Sequence, residues 1–199
     1  MIEWSVDALR GCRSVEAIVV AVPPGHSHGL VAGADAGPAL AVVAGGETRA
    51  QSVANALGVV ETELVAIHDA ARPLLTAELV EALVGALAAA PEAAGVIAAT
   101  PVTDTVKQAG AAGNALLAIE STLDRSRLWA AQTPQVFRAD ALRAALAAAA
   151  ARGEAVTDEA MLIEEAGGTV LLHLAGPENL KVTTPHDLRV AEMLLSRRA

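Results

Sequence analysis

Residues 64–100 read LVAIHDAARPLLTAELVEALVGALAAAPEAAGVIAAT. Leu64–His68 is a short, almost wholly apolar run, and Gly95–Thr100 is another. Continuous rather than alternating hydrophobicity marks strands covered on both faces, as in parallel sheets. Between the two runs, Thr76 is placed to cap a helix, Leu79, Leu83 and Leu87 recur on one helical face, and Pro91 follows the end. Thr76–Ala90 is therefore a helix joining two strands. A strand–helix–strand unit of this kind belongs to an α/β sheet with helices packed on its faces.

The same rhythm extends in both directions. Glu16–Val22, Leu40–Ala44 and Thr169–Leu174 are further apolar strand runs. Glu47–Val59, Arg138–Arg152 and Thr157–Ala166 read as helices, and Thr184-Pro185 opens a last one. The expected fold is a doubly wound, mostly parallel, Rossmann-like α/β sheet in one domain over residues 1–199. The stretch 104–137 breaks the alternation. Val106–Gln108 and Leu116–Leu123 suggest two strands around a small-residue turn, a β-arm inserted into the domain. Leu116, Leu117 and Ile119 either pack on their own domain or form a dimerisation arm.

Composition narrows the class of protein. The chain has 199 residues, 53% hydrophobic, with 47 alanines, which excludes disorder. No apolar run reaches the ~18 residues a membrane span requires, and Met1–Leu9 has no basic region of a secretory signal. A single cysteine, Cys12, excludes an internal disulfide framework and makes the cytoplasm the expected compartment. A net charge of −9 argues against a nucleic-acid surface. His26 and His28 lack a metal-ligand spacing, and no Ser sits in a G-x-S-x-G elbow. Lysine is scarce: only Lys107 and Lys181, beside twelve arginines.

Ligands of open α/β sheets bind beyond the carboxyl ends of the strands, so candidate residues are those that follow strands. Asp69, directly after Leu64–His68, is placed to hold a hard cation such as Mg²⁺ with ligand phosphates, or to pair structurally with Arg72. Ala70 and Ala71 leave room for a ligand against the backbone. Gly45-Gly46-Glu47-Thr48-Arg49 through Ser52 joins a strand to a helix, whose first N–H groups either bind an anion or form a tight turn. Arg125 stands at the end of the arm, in a pair with Asp124 that suits a solvated surface equally well. Thr157 would cap a helix or line a pocket. Lys181, after the last strand, is either an exposed lysine or a point charge for a phosphate.

Singly these features are weak; their order is specific. The chain carries GGETRAQSV, HDAARP, PVTDTVK, TLDRSRLW, QTPQVF, TDEA and ENLKVTTPHDL in sequence. In this it closely resembles the 2-C-methyl-D-erythritol 4-phosphate cytidylyltransferases of the non-mevalonate isoprenoid route, over essentially its whole length. The resemblance implies transfer of CMP from CTP to methylerythritol phosphate with release of pyrophosphate, Mg²⁺ as cofactor, and a homodimer interlocked by the β-arm. It implies that Gly46, Glu47, Arg49 and Ser52 frame the nucleoside, that Asp69 binds Mg²⁺ and phosphates, and that Ala70 and Ala71 line the nucleotide. Thr105, Thr133 and Thr157 would line the acceptor pocket. Arg125, from the partner subunit, and Lys181 would hold the attacking phosphate. Relatives specific for another polyol phosphate, such as ribitol 5-phosphate, share the HDAARP-like motif, and a non-catalytic, dimerising ligand-binding homologue is the alternative of a different class.

One family feature has no counterpart. The family begins with a strand and a Gly-rich loop resembling A-A-G-x-G-x-R, followed by Pro-Lys, which wraps the triphosphate; here Met1-Ile2-Glu3-Trp4 matches the helix after it. The expectation is an N-terminally shortened chain without full activity. That strand is central in a doubly wound sheet, so Ile18–Val22 and Val65–His68 are expected to lack a neighbour.

Overall fold

The computed structural model describes residues 1–23, 25–26, 37–110, 116–152 and 158–198. Thr157, His28 and the turn of the arm at 111–115 lie outside these described residues.

The elements follow the expected alternation. Helix α1 (Ile2–Arg10) precedes β1 (Ala17–Val22) and β2 (Ala39–Ala44), followed by α2 (Arg49–Leu57), β3 (Leu64–Ile67), α3 (Ala77–Ala88) and β4 (Gly95–Pro101). The arm consists of β5 (Lys107–Ala109) and β6 (Ile119–Thr122). Then come β7 (Trp129–Arg138), α4 (Ala139–Arg152), α5 (Glu159–Glu165), β8 (Val170–Leu174) and α6 (Pro185–Leu195).

Among the described residues the strands form three sheets. β1 pairs in parallel with β2, Ala17 opposite Ala39 through Val22 opposite Ala44. A second sheet has the order β3-β7-β4-β8. In it β7 runs antiparallel to both β3 and β4, and β8 runs parallel to β4. The fold is thus α/β and rich in parallel strands, but a strand over Trp129–Arg138 occupies a central place that the sequence reading left unassigned. Its polar residues hid it: Gln132, Thr133 and Gln135 are all buried, and so break the apolar pattern of a covered strand.

Apolar contacts fasten the helices to both faces. Phe137 packs with Val53, Leu57, Ile97, Leu142 and Leu146, so α2 and α4 close one face of the sheet. Leu83 and Leu87 of α3 cover Val96 and Val136 on the other. Gly95 is required by this packing, because a Cβ there would fall 2.4 Å from Phe137 Cδ1. Val6 of α1 meets Ile18, Val20 and Val22, which anchors the small β1–β2 sheet. Cys12 is buried, and burial, with Glu81 and Glu78 nearby, pushes its thiol up to about 11.

Three helix boundaries differ from expectation, two through the identity of the cap and the third through the strand before it. α2 starts at Arg49 rather than Glu47, because Thr48 accepts from the Gln51 N–H in a reciprocal capping box. α5 is capped by Asp158, which accepts from Ala160 N–H, in place of Thr157. α4 begins at Ala139, since Arg138 belongs to β7. The arm pairs Lys107 with Thr122 and Gln108 with Ser121. Leu116 is 90% exposed and Ile119 64%, so these side chains do not pack on their own domain.

Candidate active site

The carboxyl ends of β2 and β3 meet at Asp69. The chain leaves β3 through His68 and turns at Asp69–Arg72, closed by the Arg72 N–H donating to the Asp69 carbonyl at 2.9 Å, with Ala70 and Ala71 at its centre. The turn is fixed from below. Asp69 N–H donates to Thr133 Oγ1 at 3.0 Å, and that hydroxyl lies 3.2 Å from His68 Nδ1. His68 Nε2 lies 3.1 Å from the Arg72 carbonyl, an acceptor only. The relay therefore assigns the proton to Nε2, and the Thr133 hydroxyl donates to Nδ1. Burial drives the His68 pKa down to about 4, against the Arg72 hydrogen bond, so the ring is neutral near pH 7.

Asp69 is gripped by two cations. Arg49 Nε donates to Oδ1 at 3.2 Å, and Lys181 Nζ donates to Oδ2 at 2.8 Å. Burial works to raise the Asp69 carboxyl, but the Lys181 hydrogen bond and the two positive charges outweigh it and hold it below the usual carboxylate range. Arg49 is itself anchored. Its Nη1 lies 2.6 Å from both carboxylate oxygens of Glu159, which is fully buried at the start of α5. Burial opposes the Arg49 charge, yet Glu159 and Asp69 raise its pKa above the ordinary value.

Lys181 is delivered by the loop after β8. Val182 N–H donates to the Ala71 carbonyl at 2.7 Å, and buried Arg72 donates from Nη1 to the Asn179 carbonyl at 2.7 Å. Asn179 in turn donates to Gln132 Oε1 and the Thr133 carbonyl at 2.8 and 2.9 Å. Arg72 is thus the clamp between the HDAARP turn and the lysine loop, not the ion-pair partner of Asp69.

The Gly45–Ser52 corner is equally defined. Gly46 N–H donates to Ser52 Oγ at 3.0 Å, and Ser52 Oγ donates to the Thr48 carbonyl at 3.0 Å. A Cβ on Gly46 would fall 2.2 Å from Gln51 Cβ, so only glycine fits. Glu47 is exposed, with its N–H donating to Gln51 Oε1 at 2.8 Å.

The structure brings Gly46, Arg49, Ser52, Asp69, Ala71 and Lys181 to one end of the strands, with Thr133 buried directly behind Asp69. In this structure the Thr133 hydroxyl positions the Asp69 turn. Thr105 is exposed beside the arm. Arg125 is also exposed; its guanidinium donates to the Thr103 carbonyl within the arm segment and does not join the Asp69 cluster. Sequence reasoning placed Asp158 and Glu159 at a helix start but missed the role of Glu159 as the anchor of Arg49. Only a partner 110 residues distant reveals it.

Chemically, the two cations differ. Arg49 is committed on two sides. The Lys181 side chain is 44% exposed and holds a single carboxylate oxygen, so it can exchange that partner for a phosphate oxygen. Asp69 then remains as a hard oxygen donor beside the bound phosphate. Among the described residues, no group of three or more His, Cys, Asp or Glu forms a protein-only metal cage.

Proteins sharing this sequence and fold are nucleotidyltransferases. The family model for IspD, 2-C-methyl-D-erythritol 4-phosphate cytidylyltransferase, matches residues 1–197, and the chain belongs to that family. The 2-C-methyl-D-erythritol 4-phosphate cytidylyltransferase of Bordetella petrii is 42% identical over 98% of this chain and 85% of its own length. The bifunctional IspD/IspF enzyme of Anaeromyxobacter dehalogenans is 44% identical over 96% of this chain, which spans only 49% of that longer protein. The crystal structure of the Thermus thermophilus cytidylyltransferase superposes with a TM-score of 0.80 at 32% identity, covering 98% of this chain and 88% of that one. No helix among the described residues is long and apolar enough to cross a membrane.

Proposed function

We propose that the chain serves cytidylyl transfer from CTP to 2-C-methyl-D-erythritol 4-phosphate, giving CDP-methylerythritol and pyrophosphate, in the cytoplasm. The observation that carries this reading is Lys181 on Asp69 at the carboxyl ends of the strands, in a chain of this family. In the reaction, an oxygen of the acceptor phosphate attacks the α-phosphorus of CTP, and the bond from that phosphorus to the pyrophosphate breaks. A phosphate dianion is already a nucleophile, so no side chain need remove a proton. This agrees with a site whose one histidine is buried, neutral and fully engaged. Lys181 leaves Asp69 to hold a ligand phosphate, while Arg49, fixed by Glu159, keeps Asp69 in place. Holding two polyanions in line contributes about 7–11 kcal/mol by positioning alone.

Mg²⁺ fits this donor set, because it takes one or two carboxylates together with ligand phosphates. Asp69 would hold it. When bound, the ion neutralises triphosphate charge.

The arm supports a homodimer. A two-stranded ribbon is marginal by itself, and Leu116, Leu117 and Ile119 are exposed on this one. In this reading a second copy covers them, and Arg125 of each protomer serves the site of the other.

The test is calorimetric titration of methylerythritol phosphate and of CTP with Mg²⁺, followed by pyrophosphate release with an acceptor panel that includes ribitol 5-phosphate. Binding of both substrates, with methylerythritol phosphate the preferred acceptor, is expected. Because these 199 residues contain no A-A-G-x-G-x-R run, turnover is expected to be slow. Failure to bind either substrate, or turnover unaffected by loss of Lys181, would overturn the reading.

A further inference from the structure

Glu159 stands behind the site rather than in it. It is wholly buried, on the same face of α5 as Leu162 and Ile163. Those two side chains share a core cluster with Val53 and Leu57 of α2, and Val53 lies one helical turn after Arg49. The packing of α5 on α2 therefore sets the carboxylate against the guanidinium before any ligand arrives. A buried ion pair adds little net stability compared with a well-packed apolar pair of similar size. What this pair supplies is a fixed direction for Arg49, whose side chain is 36% exposed at the edge of the site.

The direction matters because of how the guanidinium is shared. An arginine beside a carboxylate commonly offers a fork of two parallel N–H bonds, one to each oxygen. Here Arg49 gives Asp69 one of them, Nε to Oδ1 at 3.2 Å. Its Nη1 is engaged by Glu159, 2.6 Å from each oxygen. The second oxygen of Asp69, Oδ2, is thereby left to Lys181 Nζ at 2.8 Å. Glu159, Arg49, Asp69 and Lys181 form a line of alternating charge. Its last member, the most exposed of the four, is the one placed to leave.

We propose that Glu159 is a positioning residue for the transfer reaction. By dividing the fork of Arg49 it reserves Asp69 Oδ2 for Lys181, and so holds that lysine at the site until a ligand phosphate takes it. The proposal rests on the reading of Lys181 as the phosphate holder. Without the Glu159 carboxylate, Arg49 would close both N–H bonds on Asp69 and expel Lys181. The freed ammonium would still attract phosphate. It would do so without first giving up Asp69, so the apparent affinity would rise. Its placement would be lost, and with it the alignment of the attacking oxygen. Glu159 thus lowers phosphate affinity and fixes position, although, wholly buried, it reaches no ligand itself.

The test uses the full chain with isotope-labelled lysine, in which Lys107 and Lys181 are the only two lysines; Lys107→Arg assigns their signals. Inorganic phosphate is the probe. In the parent, phosphate should shift the Lys181 signal while the Arg49 Nε–H signal stays in place and slow to exchange with solvent. Two variants remove the carboxylate, Glu159→Gln and Glu159→Met, the second without any acceptor. In both, the Lys181 signal should lie, before phosphate is added, where Asp69→Asn puts it, and phosphate should bind severalfold more tightly than to the parent. Adding Arg49→Lys to Glu159→Gln keeps the net charge but replaces the fork by a point donor. That double variant should return the Lys181 signal and the phosphate affinity toward the parent's. A parent-like Lys181 signal in the single variants, weaker phosphate binding, or no recovery in the double variant would overturn the proposal. Should the variants fail to fold, the parent titration decides, and an Arg49 signal that moves with that of Lys181 overturns it. A parent whose Lys181 ignores phosphate overturns the lysine reading itself, and the proposal with it. None of these readouts depends on turnover.

Discussion

Arg49 and Glu159, on helices α2 and α5, form an ion pair in which the carboxylate is wholly shielded from water and both its oxygens lie 2.6 Å from one guanidinium nitrogen. Removing one partner of a buried pair strands the other charge, at a cost of about 3–5 kcal/mol. Arg49→Met should lower unfolding free energy by about 3 kcal/mol in urea titrations. Arg49→Met combined with Glu159→Leu should recover much of that loss. An Arg49→Met variant as stable as the parent would show that the pair does not carry this weight.

Lys181 stands in contrast. Its exposed bond to Asp69 contributes at most about 1 kcal/mol to folding, so Lys181→Ala should unfold at nearly the parent's denaturant midpoint. Its effect should appear in function. Loss of one preorganised donor costs about 10²–10³ in rate, read as pyrophosphate release, and Lys181→Arg should restore part of it by keeping the charge.

His68 gives a pH signature. Its folded pKa of about 4 lies below the ordinary 6.5 because burial disfavours the charged ring. Between these values the unfolded chain binds the extra proton, so stability rises with pH across that window and falls on acidification from 6.5 toward 4. The shift corresponds to about 3 kcal/mol in all. Nitrogen-15 spectra should show a neutral ring protonated at Nε2 from pH 7 down to near 4.

Gly95→Ala should destabilise the sheet by about 1–3 kcal/mol, the usual cost of overpacking, because the new methyl would collide with Phe137 at 2.4 Å. Adding Phe137→Leu, which removes the colliding ring, should return part of that loss in thermal melts.

On the proposed homodimer reading, the parent should scatter light as a dimer, and Leu117→Asp with Ile119→Asp should reduce that mass to a monomer's. The exposed ribbon leaves the core of the protomer untouched by this change, so its circular dichroism should be preserved.

The parts of the fold that were legible in the sequence are those whose signal is local. β1, β2, β3, β4 and β8 announce themselves as apolar runs, and α3 through its Thr76 cap and leucine stripe. β7 is illegible because its buried polar residues are satisfied at long range: Gln132 by Asn179, and Thr133 by His68 and Asp69. The site divides in the same way. Asp69 and Lys181 were readable from their positions after strands. The use of Arg72 as a clamp on the Asn179 carbonyl, and of Glu159 as the anchor of Arg49, depends on partners more than a hundred residues away.

The central, antiparallel place of β7 also orders events in time. Among the described strands, β3 finds its sheet partner only when residues 135–138 arrive, about seventy residues later in the chain. A ribosome extends a chain at about 5–20 residues per second, so Leu64–Ile67 spends several seconds as a nascent apolar segment with no strand to pair with. Closing so long a loop is slow relative to local helix formation. Newly made molecules of this protein are therefore most prone to aggregate after α3 has emerged and before β7 has, which is the interval in which a chaperone would have most to protect.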